Sequence, residues 1–127
     1  MLKILLIEDD PEMIFVLSNI LKEENYEVQS VTDGQQAMEK VENFKPDVIV
    51  TDVMIPKIDG WKLCKKFKEN PLTSGIPILV LTGKSEEISE LMSYECGADE
   101  YISKPFQNND IINSLKRLIQ KNASSLK

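Results

Sequence analysis

Short apolar runs alternate with segments of helical period along the whole chain, and that alternation is the feature that most restricts its fold. It is the pattern of a parallel sheet buried beneath helices on both faces. The strand candidates are residues 3–7, 27–31, 47–51, 76–81 and 100–103. Ile, Val and Leu dominate the first, third and fourth, as strands covered on both faces require. Val28-Gln29-Ser30-Val31 alternates instead and suits an edge. Between the strands, Ile14, Leu17, Ile20 and Leu21 mark a first helix, begun by the capping acid Asp10 and by Pro11 at the first helical position. Ala37, Met38, Val41 and Phe44 mark a second after Gly34, and Trp61, Cys64, Phe67 and Lys68 a third after Gly60 that stops at Asn70-Pro71. Ile88, Leu91, Met92 and Tyr94 give a fourth, with the weakest apolar stripe, ended by Gly97. Ile111, Ile112, Leu115, Leu118 and Ile119 give a fifth. The expected fold is α/β, a doubly wound five-stranded parallel sheet in one domain over residues 1–122, with 123–127 as a polar tail or the start of a linker.

Composition narrows the chemistry. With no histidine among 127 residues, every His-based general base, His metal site and Ser-His-Asp triad is excluded, leaving carboxylates, lysine and hydroxyls. A net charge of -6 opposes direct nucleic-acid binding. Cys64 and Cys96 are too few and too far apart in sequence for a disulfide framework or zinc site, and read as buried free thiols of a reducing cytosol. The apolar run from Leu2 to Ile7 ends in acids and is too short for a leader or a membrane span, so a cytoplasmic location with no membrane partner is expected.

In open α/β sheets the site lies beyond the carboxyl ends of the strands. There the first strand delivers Glu8 and Asp9, the third Asp52, the fourth Thr82, and the fifth Lys104-Pro105. Three carboxylates brought together repel by roughly 4 kcal/mol per pair at 4 Å and an effective dielectric near 20, so the cluster needs a cation. Oxygen ligands alone favour Mg2+, with Mn2+ able to substitute. A carboxylate beside such an ion, faced by an ammonium and a hydroxyl, can attack phosphorus. Asp52 is the natural nucleophile, since Lys104 and Thr82 reach it from later strands while Glu8 and Asp9 hold the metal.

Leu5-Leu6-Ile7-Glu8-Asp9-Asp10, Asp52-Val53-Met54-Ile55-Pro56 with Asp59-Gly60, Leu81-Thr82, and Tyr101 followed by Lys104-Pro105-Phe106 together closely resemble the receiver domain of bacterial two-component response regulators, of the chemotaxis-regulator-like kind. The resemblance covers nearly the whole chain. It implies a flavodoxin-like (βα)5 fold with strand order 2-1-3-4-5. It also implies Asp52 as phosphoacceptor from a sensor histidine kinase or phosphotransfer protein, and Mg2+ held by Asp9, Asp52, the Met54 backbone carbonyl and, through water, Glu8. Lys104 would contact the phosphoryl group across a cis Lys104-Pro105 bond, and Thr82 and Tyr101 would form the switch pair. The altered output face would be that of the fourth helix, fifth strand and fifth helix, acting on a downstream effector protein or domain, with the chain a monomer or a phosphorylation-dependent dimer. Such a domain catalyses only its own phosphorylation and dephosphorylation.

Two departures stand out: Glu8 where the family often has aspartate, and Gly83 after the switch threonine where alanine is usual. Met54 and Lys84 flank the expected path of a hydrolytic water, and Met54 cannot orient it by a hydrogen bond. The alternatives are an interaction module that keeps the fold but signals without phosphorylation, and a carboxylate-using phosphohydrolase. The latter would carry a second aspartate where Met54 stands. No G-x-G-x-x-G follows the first strand, which disfavours dinucleotide binding.

Overall fold

The computed structural model describes residues 1–125. Its elements are β1 (Lys3–Ile7), α1 (Pro11–Glu23), β2 (Glu27–Val31), α2 (Gly34–Phe44), β3 (Val48–Asp52), α3 (Gly60–Glu69), β4 (Ile78–Thr82), α4 (Glu86–Cys96), β5 (Glu100–Ser103) and α5 (Asn108–Ser125). The five strands are parallel in the order β2-β1-β3-β4-β5, as expected, with the alternating β2 at an edge.

Strand alternation divides the core between the two faces. Leu5, Ile7, Ile49, Ile78 and Val80 point to one side, where Ala37, Val41 and Phe44 of α2 and Trp61, Leu63, Cys64 and Phe67 of α3 cover them. Ile4, Leu6, Val50, Leu79 and Leu81 point to the other, beneath Leu17 and Leu21 of α1 and Ile111, Leu115 and Leu118 of α5. Four helices start on side-chain caps: Asp10 accepts from Glu12 N, Asp33 from Gln36 N, Asp59 from Lys62 N and Ser85 from Ile88 N. Each helix after β1, β3 and β4 therefore has its N-terminus at the carboxyl edge of the sheet.

Several expectations are corrected. The third strand begins at Val48 rather than 47, because Asp47 is used as a clasp whose N–H donates to Lys3 O (2.8 Å) and whose carboxylate accepts from Lys3 N (2.8 Å). At its other end the strand runs one residue past the expected 51, because Asp52 pairs with Leu81 of β4. The fourth begins at Ile78 and not at 76, since Ile76 N closes the preceding turn on Thr73 O and Pro77 has no N–H for a ladder. Met38 lies exposed on α2, and Ile14 is only half-buried on α1. The largest correction concerns α4, where Ile88, Leu91 and Tyr94 of the expected buried stripe are exposed. The inward face of α4 is instead Ser89, Ser93 and Cys96, with Met92 half-buried. Ser89 there meets Thr82 at the polar end of β4, which the apolar pattern does not reveal.

The cysteines are both buried free thiols, yet the fold brings them together across α3 and α4, with Cys64 Sγ donating to Cys96 O at 3.6 Å. The hydrogen bond with Cys96 and burial raise the Cys64 thiol well above its ordinary range. Helix α5 extends to Ser125, past the boundary expected at residue 122. Of the expected tail, Leu126 and Lys127 lie outside the described residues. Among the described residues no helix is long and apolar enough to cross a membrane.

Candidate phosphoryl-acceptor site

The parallel register places Asp52 at the carboxyl end of β3 opposite Leu81, with Thr82 the next residue of β4 and opposite Ser103 of β5. Lys104 comes immediately after. Its backbone N–H donates to Thr82 O at 2.7 Å, and the Lys104-Pro105 peptide is cis. The side chain turns back over the sheet edge, where Lys104 Nζ donates to Asp52 Oδ2 at 2.9 Å.

Glu8 stands on the β1 side of the same edge. Only 2% exposed, it accepts from the N–H groups of Asp9 (3.0 Å) and Asp10 (3.2 Å) through Oε2. Burial pushes its carboxyl up to about 7, opposed by the Asp10 N–H and reinforced by the Asp52 charge. Asp52 is itself only 5% exposed. Glu8 Oε1 and Asp52 Oδ1 are both buried without a hydrogen-bond partner. Orphaned anionic oxygens are costly inside a protein, and a hard cation satisfies such atoms. The donors present therefore fit Mg2+ or a similar ion. Among the described residues no three His, Cys, Asp or Glu side chains form a metal-holding group. The ligand set expected from the sequence needs only two direct carboxylates, from Asp9 and Asp52, completed by the Met54 carbonyl and water. The Asp9 side chain is exposed.

Gly60 packs against the backbone of Asp52 and Val53. Its N–H donates to Val53 O at 2.9 Å, and a Cβ in its place would lie 2.2 Å from Asp52 O. The expected flanking residue Met54 is 69% exposed, and Lys84 is exposed too. Gly83 has open space where a Cβ would sit, consistent with an uncrowded approach from the β4 side.

Thr82 is fully buried, and its hydroxyl accepts from Lys84 N at 3.0 Å. Tyr101 is half-buried with its hydroxyl donating to Glu86 Oε2 at 2.9 Å, while Ser103 donates to Glu86 Oε1 at 2.8 Å. These two bonds, Ser103 first, hold the Glu86 carboxyl below its usual range. The fold thus gathers Glu8, Asp52, Thr82 and Lys104 at one edge, with Asp9 and Met54 at its rim and Tyr101 one strand away. The sequence reading did not single out Glu86 or Ser89, both on α4. Their signal is positional, in the first turn of the helix that follows a threonine at a strand end.

A five-stranded sheet in this order, with a lysine on a buried strand-end aspartate, defines a class. The chain belongs to the response regulator receiver family, whose domain profile matches residues 4–116. It is 38% identical over 119 residues to the alkaline phosphatase synthesis transcriptional regulatory protein PhoP of Bacillus subtilis, covering 94% of this chain and 49% of that protein. The chain thus spans about half the length of the curated relatives it matches. Among solved structures it resembles the signal receiver domain of a signal transduction histidine kinase from Syntrophus aciditrophicus, with TM-score 0.89 and 35% identity, covering 95% of this chain and 92% of that one. It also resembles the receiver domain of sensor histidine kinase PA1611 from Pseudomonas aeruginosa, with TM-score 0.85 and 28% identity, covering 94% and 98%; that structure has a magnesium ion coordinated in its active-site cleft. The chain is a signalling domain rather than a metabolic enzyme.

Proposed function

We propose that this chain is a phosphorylation-controlled switch that accepts a phosphoryl group on Asp52 from a histidine kinase or phosphotransfer protein. The supporting observation is the Lys104 Nζ to Asp52 Oδ2 contact at 2.9 Å beside two buried, unpartnered carboxylate oxygens. A carboxylate oxygen of Asp52 attacks phosphorus, forming an acyl phosphate as the bond to the donor's leaving group breaks. Lys104 neutralises charge on the transferred oxygens, and the Thr82 hydroxyl donates to one of them. Mg2+, with Mn2+ able to replace it, supplies charge neutralisation at those oxygens when bound. Asp9, Asp52 and the Met54 carbonyl would hold it directly and Glu8 through water. Its presence in the PA1611 receiver supports this assignment.

Turning Thr82 toward Asp52 vacates space beside β4, into which the Tyr101 ring moves once it leaves Glu86. The face of α4, β5 and α5 changes with it and carries the signal to an effector protein or domain. Hydrolysis of the acyl phosphate by water, passing between Met54 and Lys84, ends the signal. We assign residues 1–122 to the receiver and 123–127, into which α5 continues as far as Ser125, to a polar tail or the start of a linker to an effector. We assign no nucleic-acid contact to this domain, and a cytoplasmic setting suits its kinase-facing role.

Trp61 is the sole tryptophan and lies next to Gly60, which packs on Asp52, so its fluorescence tests the reading. Saturable quenching by Mg2+ is expected, then a second change with acetyl phosphate that Asp52→Asn abolishes. No response to either ligand would overturn the reading in favour of a receiver-fold interaction module that signals without phosphorylation.

A further inference from the structure

The inward face of α4 poses a question the proposed switch leaves unanswered. Ser89 sits there at 0% exposure, where alanine would fill the space equally well and carry no desolvation cost. Its hydroxyl has two contacts: Thr82 Oγ1 at 3.2 Å and, more weakly, Lys84 O at 3.5 Å. Thr82 Oγ1 is therefore held by Lys84 N at 3.0 Å and by Ser89, both from the α4 side. Among the described residues it has no hydrogen bond to Asp52 or Lys104. One turn earlier on the same helix, Glu86 ties Tyr101 and Ser103.

We propose that Ser89 is a positioning residue for the phosphorylation switch. Its buried hydroxyl holds Thr82 turned away from Asp52, so that swinging Thr82 toward a phosphoryl group and loosening the first turn of α4 are one event. This rests on the assignment of Asp52 as acceptor and Thr82 as its responding hydroxyl. The geometry gives the sign. The Ser89 to Thr82 bond belongs to the unphosphorylated arrangement, so it opposes the switch, and its removal favours the phosphorylated one. Apolar packing is sparse on this turn of α4, where Ile88 and Leu91 are exposed and the buried residue is Ser89. Hydrogen bonds to the very residues that move anchor its first turn.

The test is a beryllofluoride titration in saturating Mg2+, beryllofluoride standing in for an aspartyl phosphoryl group, read by Trp61 fluorescence. Ser89→Ala is expected to bind the analogue roughly 2- to 10-fold more tightly than the native chain, the equivalent of one net neutral hydrogen bond. Ser89→Cys, similar in size with a weak donor, is expected to fall between the two and guards against an effect of packing. In a Thr82→Ala background the Ser89→Ala shift is expected to vanish, which a purely structural role would not produce. Unchanged or weaker binding by Ser89→Ala, or the same shift without Thr82, overturns the proposal and leaves the acceptor assignment standing. A native chain that fails to respond, or an Asp52→Asn variant that responds equally, overturns both.

Discussion

Gly60→Ala sets two opposing effects against each other at the backbone of Asp52, the proposed acceptor. On helix propensity alone the substitution should stabilise by about 0.5–1 kcal/mol, since Gly60 opens α3. The structure dictates the opposite sign. The new Cβ would sit 2.2 Å from Asp52 O, 2.9 Å from Asp52 C and 2.9 Å from Val53 Cα, all backbone atoms with no rotamer to change. Restoring ordinary contact requires α3 and the end of β3 to part by about 1 Å. That separation strains the Gly60 N to Val53 O bond of 2.9 Å. Overpacking costs about 1–3 kcal/mol and the weakened hydrogen bond about 1 kcal/mol, so the net loss is about 1–3 kcal/mol. For a domain of this size that lowers Tm by roughly 3–15 °C. Because Asp52 moves with its carbonyl, phosphoryl uptake slows as well. Gly83→Ala is the control, with nothing near its Cβ, and is expected to be neutral or stabilising by less than about 1 kcal/mol. Thermal unfolding by circular dichroism of both variants decides the matter. A Gly60→Ala protein as stable as the native chain, or more so, would refute the reasoning.

The same geometry sets three further outcomes. Met54→Asn places an amide able to orient water at an exposed position beside the acceptor, and is expected to shorten the acyl-phosphate lifetime several-fold; an unchanged decay rate would contradict the role given to Met54. Asp10→Ala removes the cap that accepts from Glu12 N at 3.0 Å and should cost about 0.5–2 kcal/mol in urea unfolding without altering Mg2+ stoichiometry. Glu86 should titrate below its usual 4.5, because Ser103 and Tyr101 donate to its ionised form. A depressed folded value means these bonds favour folding above the unfolded value and lose that contribution as pH falls through the folded one. NMR titration of the Glu86 carboxyl should give a midpoint under 4.5 that rises in Tyr101→Phe, and an unshifted midpoint would contradict the contacts.

The central strands were legible because burial on both faces leaves nearly continuous apolar runs, and the first three helices because an apolar stripe follows Pro11, Gly34 and Gly60, the first of them behind the capping acid Asp10. The chemistry-bearing residues were legible for a topological reason: a parallel sheet sends every strand end to one edge. Thus Asp52, Thr82 and Lys104, far apart in sequence, meet there. Helix α4 defeats the pattern because apolar periodicity locates a buried stripe only where burial is apolar. Here the buried residues are Ser89, Ser93 and Cys96, while Ile88, Leu91 and Tyr94 face outward. The proximity of Cys64 and Cys96 was equally invisible, since it depends on how α3 packs beside the end of α4. Strand boundaries shifted where a side chain took a partner remote in sequence, as Asp47 did with Lys3.

The acceptor assignment is tested most directly by intact mass after incubation with acetyl phosphate, with and without Mg2+, on the native chain and Asp52→Asn. A single phosphoryl adduct that requires Mg2+ and disappears in Asp52→Asn is the predicted result. An adduct that persists in Asp52→Asn, or one that forms equally well without Mg2+, would contradict it.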